Sequence, residues 1–479
     1  MPTDSRDLVV IGTGAAGLVA GHVAGGLGLN VTCIERDRIG GECSWTGCVP
    51  SKALLHAARE CWRLKTGPGG GIRASIGEID ASGAFEWVRE QRDALARRLT
   101  PGDLAEVGME VLMGEPEFDG GRGVTVDGRT LKARAIMIAT GSSAAVPPIE
   151  GLEETGYLTN REIFELPELP RSLLIVGAGP IGVEMAQAFN RLGAEVTVVE
   201  GSDEILPRDD GELAAELRRC LEAEGVKFVL GSAVVKAGRQ GNGQREVTLE
   251  GGAVIAADEL LIATGRKASV DGIESLGVTT NARGVVVDDR MRASHPHVYA
   301  AGDVTGDWQF SHMAEYEATR ATRNALLSMG ESVTYEAAGW TTFTDPELAS
   351  CGMNERQVRE RGLRHGVYRY GFAKDDRARV DQEATGEVKV IAHPTSGRIH
   401  GAQILGPRAG ELIQEFIVAI ARKISIKDLC RTVHVYPALT MTAQRAGQMW
   451  WQEYLQRGPH SGMIRQVLGT LGYHPRATT

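Results

Sequence analysis

The chain contains the same strand–turn–helix–strand pattern twice, and each copy carries glycines with the spacing Gly-x-Gly-x-x-Gly. In each copy the glycines follow an apolar run that predicts a buried strand, residues 8–11 in the first copy and residues 173–176 in the second. The glycines of the two copies are Gly12, Gly14, Gly17, Gly177, Gly179 and Gly182. One such spacing is weak evidence, but two copies in the same context predict two doubly wound nucleotide-binding domains.

Each copy also places an acidic residue, Glu35 or Glu200, at the end of its second predicted strand. In folds of this type the first glycine makes a tight turn, the second lets the backbone approach a pyrophosphate, and the third lets the helix pack on the strand. The N-terminus of the helix supplies N–H groups and a favourable dipole for the phosphates. The acids are expected to accept hydrogen bonds from ribose hydroxyls, so each copy is predicted to bind a dinucleotide.

Length and repeat order together predict the domain organisation of an α/β protein. A chain of 479 residues has room for about three domains of roughly 150 residues each. Alternating apolar residues at 387–391 and an amphipathic helix at 411–423 predict that the last domain is of mixed α+β type. The predicted domains cover residues 1–152 with 271–332 (first nucleotide-binding domain), 153–270 (second nucleotide-binding domain), 335–455 (α+β domain) and 456–479 (C-terminal extension).

Composition and charge narrow the range of partners. The net charge of −10 argues against nucleic acid, because phosphate binding needs clustered Lys and Arg. No stretch reaches the ~20 apolar residues of a membrane-spanning helix. The cysteines are scattered and odd in number, unlike a secreted disulfide framework, and the N-terminal residues show no signal-peptide pattern. We therefore expect a cytoplasmic protein in a reducing compartment.

Two of the seven cysteines, Cys43 and Cys48, lie close together after the first glycine-rich unit. Pro50 fits the first turn of a helix that begins near Cys48, and such a helix places Lys52 one turn later on the same face. A thiol at a helix N-terminus has a lowered pKa, so its thiolate is available as nucleophile or electron donor. We expect Cys48 to face a flavin and Cys43 to exchange with substrate. The alternatives are a pair of buried inert thiols and half of a zinc site.

Over about residues 6–455 the chain resembles the pyridine nucleotide–disulfide oxidoreductases, which include dihydrolipoamide dehydrogenase, glutathione reductase and mercuric reductase. The resemblance rests on the two glycine motifs, the cysteine run 40–52, the Gly-Asp turn at 302–303 and the run 343–349. It implies FAD in the first domain, NAD(P)H in the second and a homodimer formed through the C-terminal domain. It also implies that a Cys43–Cys48 disulfide takes electrons from reduced flavin, beside a pair formed by Lys52 and Glu184.

The motifs together give an expected set of cofactor contacts, and no metal site is predicted. The expected contacts are Gly12, Gly14, Ala15, Ala16, Gly17, Glu35, Arg36, Gly41, Glu42, Lys52, Ala139, Thr140, Gly141, Gly177, Gly179, Ile181, Gly182, Glu200, Gly265, Arg266, Gly302, Asp303, His312 and Ala314. Asp303 is expected to reach the ribityl hydroxyls of the flavin. A carboxylate at Glu200 favours a ribose 2′-hydroxyl over a 2′-phosphate, so NADH is expected rather than NADPH.

The run 434–441 departs from the pattern of the family members that act on disulfides. Those enzymes carry a histidine base there, oriented by a glutamate, whereas this chain has Tyr436 and Met441 at the matching positions. A tyrosine with a pKa near ~10 is a poor base at neutral pH. His434 lies two residues away and is a candidate replacement, although an ordinary polar or core histidine is the more common case. In lacking that histidine the segment resembles mercuric reductase.

Two further departures leave the electron acceptor open. Mercuric reductases carry a C-terminal cysteine pair, and this chain has no cysteine after Cys430. Trp45 lies between the two redox cysteines, where it is expected either to narrow the substrate mouth or simply to pack. We favour an enzyme that reduces a thiophilic metal ion or an uncommon disulfide. The alternatives are a dihydrolipoamide dehydrogenase or low-molecular-weight disulfide reductase with a replaced base, a flavin-direct quinone reductase, and a non-enzymatic redox sensor.

Overall fold

The structure is a computed structural model that describes residues 4–67, 69–72, 77, 79–471 and 473. The described residues form two compact units. Unit 1 takes those within 1–67, 74–201 and 226–334, and unit 2 takes those within 68–73, 202–225 and 335–479. Residues 202–225 therefore group with the C-terminal part of the chain, although the sequence pattern had placed them in the second nucleotide-binding domain. The end of the predicted extension, residues 474–479, lies outside the described residues.

Unit 1 alternates strands and helices in the order expected for nucleotide-binding folds. Its strands are β1 (Asp4–Ile11), β2 (Val31–Glu35), β3 (Met109–Met113), β4 (Glu117–Phe118), β5 (Gly123–Val126), β6 (Arg129–Ile138), β7 (Ser142–Ala144), β8 (Ser172–Val176), β9 (Glu195–Val199), β10 (Lys227–Val229), β11 (Val234–Arg239), β12 (Arg245–Leu249), β13 (Val254–Ala257), β14 (Glu259–Ile262), β15 (Arg266–Ala268) and β16 (Val298–Ala300). Its α-helices are α1 (Ala15–Gly25), α2 (Gly41–Trp45), α3 (Cys48–Thr66), α4 (Ala84–Ala96), α5 (Pro101–Glu106), α6 (Leu152–Thr155), α7 (Pro180–Leu192) and α9 (Ser311–Leu327).

The first glycine-rich copy belongs to a seven-stranded sheet with the order β3–β2–β1–β6–β5–β4 and with β16 also paired to β6. The pairs among β1, β2, β3, β6 and β16 are parallel, so the carboxyl ends of these strands meet at one edge. Buried apolar side chains such as Val9, Ile136 and Val298 form the core on this sheet. Because chain segments leaving parallel strands converge at the carboxyl edge, that edge is the place where a ligand binds in such folds.

The second glycine-rich copy belongs to a separate four-stranded parallel sheet with the order β10–β9–β8–β14. A three-stranded antiparallel sheet, β11–β12–β13, completes this half of unit 1. The short antiparallel pair of β7 and β15 joins the two halves, because β7 follows the first sheet and β15 follows β14. The predicted insertion of one nucleotide-binding fold into another is therefore visible in the order of the strands.

Unit 2 is built on a five-stranded antiparallel sheet with the order β17–β18–β21–β20–β19. Its strands are β17 (Gly339–Thr342), β18 (Glu347–Gly352), β19 (Gly366–Gly371), β20 (Glu387–Ala392) and β21 (Ile399–Gly406). Its α-helices are α8 (Gly211–Glu224), α10 (Glu355–Glu360), α11 (Asp376–Val380), α12 (Ala409–Ala421), α13 (Ile426–Arg431), α14 (Met441–Arg457) and α15 (Ser461–Thr470). The strand predicted at 387–391 is confirmed as β20, and the helix predicted at 411–423 is confirmed as α12, with each helix end shifted by two residues. A shift of this size is within the normal uncertainty of helix ends.

The mixed α+β domain predicted from the sequence is thus present as a helix-covered antiparallel sheet. Its core includes the fully buried side chains of Phe372, Phe416 and Trp450. None of the helices that the structure describes in either unit combines the length and apolar character that crossing a membrane requires.

Candidate redox site

The two cysteines that the sequence singled out lie side by side in unit 1. Cys43 lies in the one-turn helix α2, and Cys48 is the first residue of the 19-residue helix α3, where the sequence predicted a helix to begin. The structure holds both as thiols, and their side chains are hydrogen bonded to each other. The hydroxyl of Ser311, the first residue of α9, lies 3.3 Å from the Cys48 sulfur. Two helix N-termini therefore meet at Cys48, and both favour negative charge there.

The surroundings of the two thiols separate their acidities. The hydrogen bond with Cys43 lowers the pKa of Cys48 to about 6, and the Ser311 hydroxyl and the positive charge of Lys52 act in the same direction. The same hydrogen bond with Cys48 raises the pKa of Cys43, and burial raises it further. At neutral pH the arrangement therefore favours a thiolate at Cys48 and a protonated thiol at Cys43. The thiolate is the form that acts as nucleophile or electron donor.

Lys52 lies one turn after Cys48 on α3 and forms an ion pair with Glu184. The Lys52 Nζ is 2.9 Å from the Glu184 Oε2. Glu184 is on α7, the helix of the second glycine-rich copy, and its side chain is only 5% exposed. A buried carboxylate is costly unless it is paired, so the partner lysine is needed there. The pair links the cysteine-bearing helix to the second nucleotide-binding fold.

The carboxyl edge of the first sheet has the backbone shape that a dinucleotide needs. Gly12 has a φ of +98°, and a Cβ added there would lie 2.4 Å from the Ala139 carbonyl oxygen. A Cβ at Gly17 would lie 1.9 Å from the Gly12 carbonyl oxygen, whereas a Cβ at Gly14 would point into open space. The first and third glycines are therefore required for packing. The middle glycine leaves room for a phosphate beside the N-terminus of α1.

Glu35 fixes this glycine-rich turn through backbone hydrogen bonds. Its Oε2 accepts from the Thr13 N–H at 2.9 Å and from the Thr13 hydroxyl at 2.7 Å, and its Oε1 accepts from the Asp37 N–H at 2.9 Å. A carboxylate has about four acceptor positions, so these bonds leave capacity for a ribose hydroxyl. The turn, the uncapped N-terminus of α1 and Glu35 together fit the adenine half of FAD.

The second glycine-rich copy repeats the geometry of the first. A Cβ at Gly182 would lie 2.0 Å from the Gly177 carbonyl oxygen, and a Cβ at Gly179 would meet nothing within 4 Å. The Glu200 Oε2 accepts a hydrogen bond from the Ala178 N–H at 2.8 Å, as Glu35 does from Thr13. The same turn, helix N-terminus and acid therefore fit a second dinucleotide at the edge of the second sheet.

The turn at Gly302 and Asp303 reaches the first edge from β16. The Gly302 N–H donates to the Glu317 Oε2 at 2.8 Å, and the Glu317 side chain is fully buried. The Asp303 carboxylate accepts a hydrogen bond from the Ser142 hydroxyl and lies 3.4 Å from the Arg266 Nε. Asp303 is thus held at the edge by neighbours on two other elements, in a position that fits the polar chain of a flavin.

The structure distributes the predicted cofactor contacts over three places. Those on the loops and elements at the first edge are Gly12, Gly14, Ala15, Ala16, Gly17, Glu35, Arg36, Gly41, Glu42, Ala139, Thr140, Gly141, Gly302 and Asp303. Those at the second edge and the strand after it are Gly177, Gly179, Ile181, Gly182, Glu200, Gly265 and Arg266. Lys52 lies on α3, and His312 and Ala314 lie on α9, where the Phe310 ring stacks on His312 at 5.6 Å between centroids.

Three residues with clear roles at the site were not singled out from the sequence: Ser311, Glu317 and Ser142. Each contacts a predicted residue on another element: Ser311 contacts Cys48, 263 positions away, Ser142 contacts Asp303, 161 positions away, and Glu317 contacts Gly302, 15 positions away. The only local signal was weak, since Ser311 directly precedes His312. Small polar residues in turns and at helix ends are too common for sequence reasoning to single them out.

In unit 2, the 434–436 segment, where the family pattern predicts a histidine base, holds its side chains in a different arrangement. The His434 Nε2 lies 2.9 Å from the Glu415 Oε1, and its Nδ1 lies 3.0 Å from the Thr432 carbonyl oxygen. The His434 side chain is only 6% exposed, whereas Tyr436 is 66% exposed. The Tyr436 hydroxyl donates to the Asp376 carboxylate at 3.1 Å, and this bond raises the pKa of Tyr436. Both ring nitrogens of His434 therefore have a hydrogen-bonding neighbour. The raised pKa of Tyr436 makes its deprotonated form still rarer at neutral pH than that of a free tyrosine.

No group of three His, Cys, Asp or Glu side chains within the described residues is arranged to hold a metal ion.

Comparisons with known proteins agree with this geometry. Residues 6–318 match the family model described as pyridine nucleotide-disulphide oxidoreductase, and residues 339–446 match its dimerisation domain. A mercuric reductase from Bacillus cereus is 32% identical over 440 residues, which cover 91% of this chain and 69% of that protein. A dihydrolipoyl dehydrogenase from Thermus scotoductus is 35% identical over 455 residues, which cover 92% of this chain and 96% of that protein.

Solved structures with the same fold give the same result. The Cu(II) complex of the HOCl-induced flavoprotein disulfide reductase RclA from Escherichia coli has a TM-score of 0.82 and 29% identity, covering 91% of this chain and 98% of that chain. LpdA from Mycobacterium tuberculosis has a TM-score of 0.85 and 26% identity, covering 93% of this chain and 99% of that chain. The family binds FAD and uses a pyridine nucleotide. The thiol pair, the two dinucleotide edges and these matches show that the chain belongs to the pyridine nucleotide–disulphide oxidoreductase family.

Proposed function

We propose that this oxidoreductase passes electrons from NADH through the Cys43–Cys48 pair to a thiophilic metal ion. The observation that carries the proposal is the contrast within the candidate machinery. The thiol pair has a thiolate-stabilising environment, whereas the segment expected to supply a base for disulfide exchange holds Tyr436 and a buried His434. A soft metal ion binds thiolates directly, and no thiolate leaves that an acid–base group would have to protonate.

The residues of this chain have distinct roles in the proposed reaction. Bound FAD would supply the two-electron chemistry that connects the nicotinamide with the disulfide. Cys48, with its lowered pKa, is the thiolate that Lys52 and Ser311 hold in place. Cys43 keeps its proton until the metal displaces it, and both sulfurs then bind the metal ion as thiolates. As the Cys43–Cys48 bond closes, the dithiol gives up two electrons, either to one Hg(II) ion or to two Cu(II) ions in turn.

Charge supports NADH as the preferred reductant. Glu200 occupies the end of β9, where a 2′-phosphate would meet its negative charge. The residues that follow, Asp203 and Glu204, add further acidic groups rather than arginines. The match to the family's dimerisation domain supports a homodimer. The cytoplasmic location stays a prediction from the sequence.

Two comparisons bear on the choice of acceptor. A mercuric reductase is among the similar proteins, and one structural neighbour is described as a Cu(II) complex. Dihydrolipoyl dehydrogenases are equally similar, which makes a low-molecular-weight disulfide the second candidate acceptor. Tyr436 at the position of the expected histidine base argues against this second candidate. Proton transfer by a positioned base raises the rate of such a step about 10²- to 10⁴-fold.

The test is NADH oxidation by the wild-type holoenzyme and by Cys43→Ser, measured anaerobically with Hg(II), Cu(II), lipoamide, glutathione disulfide and a quinone. Cys220→Ser is the matched control, because Cys220 is a partly exposed cysteine on α8, in the other unit. We expect a metal-dependent rate in the wild type and in Cys220→Ser that is lost in Cys43→Ser.

The other outcomes would overturn the proposal in identifiable ways. A fast rate with a disulfide and not with either metal would make the protein a disulfide reductase. Equal quinone reduction by the wild type and Cys43→Ser would place the outlet at the flavin. Rates no higher than without acceptor, for every compound, would indicate a sensor rather than an enzyme.

A further inference from the structure

The helix that carries Cys43 has little means of holding its own shape. α2 has only five residues, and an isolated helix of this length is unstable. It begins at Gly41 and follows Gly40, both with positive φ, and the next helix begins after Gly47. Glycine is the residue with the most backbone freedom, so both ends of the turn are intrinsically flexible. The position of Cys43 relative to Cys48 must therefore be set by side-chain contacts of the turn.

Trp45, the last residue of α2, makes such contacts on one side of the turn. Its indole Nε1–H donates to the Ile39 carbonyl oxygen at 2.8 Å. The guanidinium groups of Arg38 and Arg92 lie over its ring, at 5.0 Å and 5.7 Å from the centroid. Cation–π contacts of this kind are worth more when the cation is desolvated.

Arg92 gives the Trp45 contact a rigid support. Its side chain is only 8% exposed and is paired with Asp93 at 2.8 Å and with Glu165. Because Arg92 belongs to the 13-residue helix α4, the ring of Trp45 ties α2 to a longer element. Trp45 therefore has a defined place among fixed groups, unlike a side chain that swings across a substrate mouth.

Glu42 and Asn160 hold the turn from the other side. The Asn160 side-chain amide donates to the Glu42 Oε2 at 3.3 Å and to the Thr46 carbonyl oxygen at 3.2 Å. The Glu42 carboxylate is also paired with Arg266, and with Arg161 at 3.2 Å. The residues that flank Cys43 are thus anchored at both ends of α2.

We propose that Trp45 is a positioning residue that keeps Cys43 next to Cys48 and thereby lowers the reduction potential of the thiol pair. The proposal rests on the proposed function only in assuming that the pair is redox-active. Two thiols held close together have a high effective concentration toward each other, which favours the disulfide. Releasing α2 lets Cys43 move away from Cys48, so the disulfide becomes less stable and the potential becomes less negative.

The equilibrium can be measured without NADH or an acceptor. In exchange with lipoic acid, one of the two cysteine thiolates attacks the S–S bond of the reagent and forms a mixed disulfide, which frees the first reagent sulfur. The other cysteine then attacks the protein sulfur of the mixed disulfide and displaces the second reagent sulfur. The Cys43–Cys48 bond forms as the reagent bond breaks, and two electrons with two protons pass to dihydrolipoic acid. The fraction of disulfide is read by alkylation and mass spectrometry of the anaerobic holoenzyme over a series of lipoate to dihydrolipoate ratios.

We expect Trp45→Ala to lower the equilibrium constant for disulfide formation about tenfold, which corresponds to a rise of about 30 mV in the potential. Trp45→Phe keeps a ring near the guanidiniums and loses the N–H donor, so a smaller change of about threefold is expected. If Trp45→Ala does not fold, Trp45→Phe decides the question.

Trp62→Phe is the matched control, because Trp62 also lies under an arginine, with the Arg191 guanidinium 5.4 Å from its ring. Trp62 is 14 residues after Cys48 on α3, about 21 Å along the helix. A change of less than twofold in both folded Trp45 variants, or an equal change in Trp62→Phe, would overturn the proposal. A shift in the reduction potential together with no metal reduction would contradict only the proposed acceptor and not the role of Trp45. A failure of the proposed function can therefore be told apart from a failure of this proposal.

Discussion

A disulfide reductase needs a thiol pair and a base. The positions for these two groups are the Cys43–Cys48 pair of unit 1 and the 434–436 segment of unit 2, and their surroundings differ. At the thiol pair, the Cys43 thiol, the Ser311 hydroxyl and the Lys52 charge lower the pKa of Cys48, whereas burial and the Glu184 charge raise it. At the 434–436 segment, His434 is buried against Glu415 and Tyr436 is exposed on Asp376. One region is prepared for electron transfer, whereas the other does not offer a base for proton transfer.

This difference teaches that the two half-reactions of such an enzyme are specified separately. In the proposed reaction, reduction of the Cys43–Cys48 pair depends on groups within unit 1. Delivery of a proton to a leaving thiolate would depend on a side chain in the 434–436 segment, where this chain has Tyr436. A family member can therefore keep its fold, cofactor edges and thiols while its acceptor changes.

The largest expected effect concerns the thiol pair of unit 1. Lys52→Met removes the positive charge beside Cys48 and leaves the Glu184 carboxylate buried without its lysine. We expect the rate constant for reduction of the thiol pair by NADH to fall about 10²-fold, as for loss of one preorganised electrostatic contact. Stopped-flow absorbance of the flavin under anaerobic conditions measures this rate.

Lys65→Met is the control for Lys52→Met, because Lys65 lies near the other end of α3 and binds the Arg191 carbonyl oxygen at 2.7 Å. It should leave the rate unchanged. A Lys52→Met rate within threefold of wild type would mean that the thiol pair is not supported electrostatically, and the contrast between the two regions would disappear.

The second largest expected effect concerns the 434–436 segment of unit 2. Tyr436→His restores a side chain that can accept a proton near neutral pH. Because the position of the orienting glutamate is still Met441, we expect only part of the ~10²- to 10⁴-fold contribution of a positioned base, and thus a rise of about tenfold in lipoamide turnover. Steady-state kcat for lipoamide is the measurement.

His434→Gln is the companion variant for Tyr436→His. It removes the ring that faces Glu415 and keeps a polar side chain of similar reach. Because His434 is nearly buried, lipoamide turnover should not change. A large loss in His434→Gln would show that this histidine is the working base after all, and a Tyr436→His variant without any gain would argue that proton transfer does not limit disulfide reduction.

Whether a feature of this protein could be predicted from the sequence depends on how far apart in the chain the residues that create it lie. The glycine turns, the acids Glu35 and Glu200, and the helix that begins at Cys48 were predictable, because each is encoded in a few consecutive residues. The buried Glu317 under Gly302 was not, because its role exists only after α9 packs near β16. The grouping of residues 202–225 with unit 2 likewise depends on contacts with residues that are far away in the chain, and the predicted domain bounds stay a prediction.

Lys389 shows the same limit within unit 2. The sequence predicted its strand correctly but gave no reason to expect a lysine that is 1% exposed. Its ammonium is paired with Asp210 at 2.7 Å and Glu355 at 2.9 Å, from helices α8 and α10 and their caps. A buried charge is tolerated only when such partners surround it. Asp210 is 179 residues away from Lys389 in the chain, so this pair is not visible in a local pattern.

The smallest effect sharpens the account of the thiol pair itself, through the pH dependence of Cys48. Because the pKa of Cys48 is lowered to about 6, its thiolate is present above that pH and is lost as the pH falls through it. The hydrogen bond with Cys43 is the largest cause, so Cys43→Ala should move the midpoint to higher pH. Cys43→Ser keeps an O–H donor at the same place, so its midpoint should lie between those of the wild type and Cys43→Ala.

The ultraviolet absorbance of the thiolate gives these midpoints, taken as the difference from a matched protein that also carries Cys48→Ser. Identical midpoints in Cys43→Ala and the wild type would mean that Cys43 does not stabilise the thiolate, and that the helix N-termini and Lys52 act alone. A midpoint order of wild type, Cys43→Ser and Cys43→Ala from low to high pH would instead show that the two thiols act as one unit.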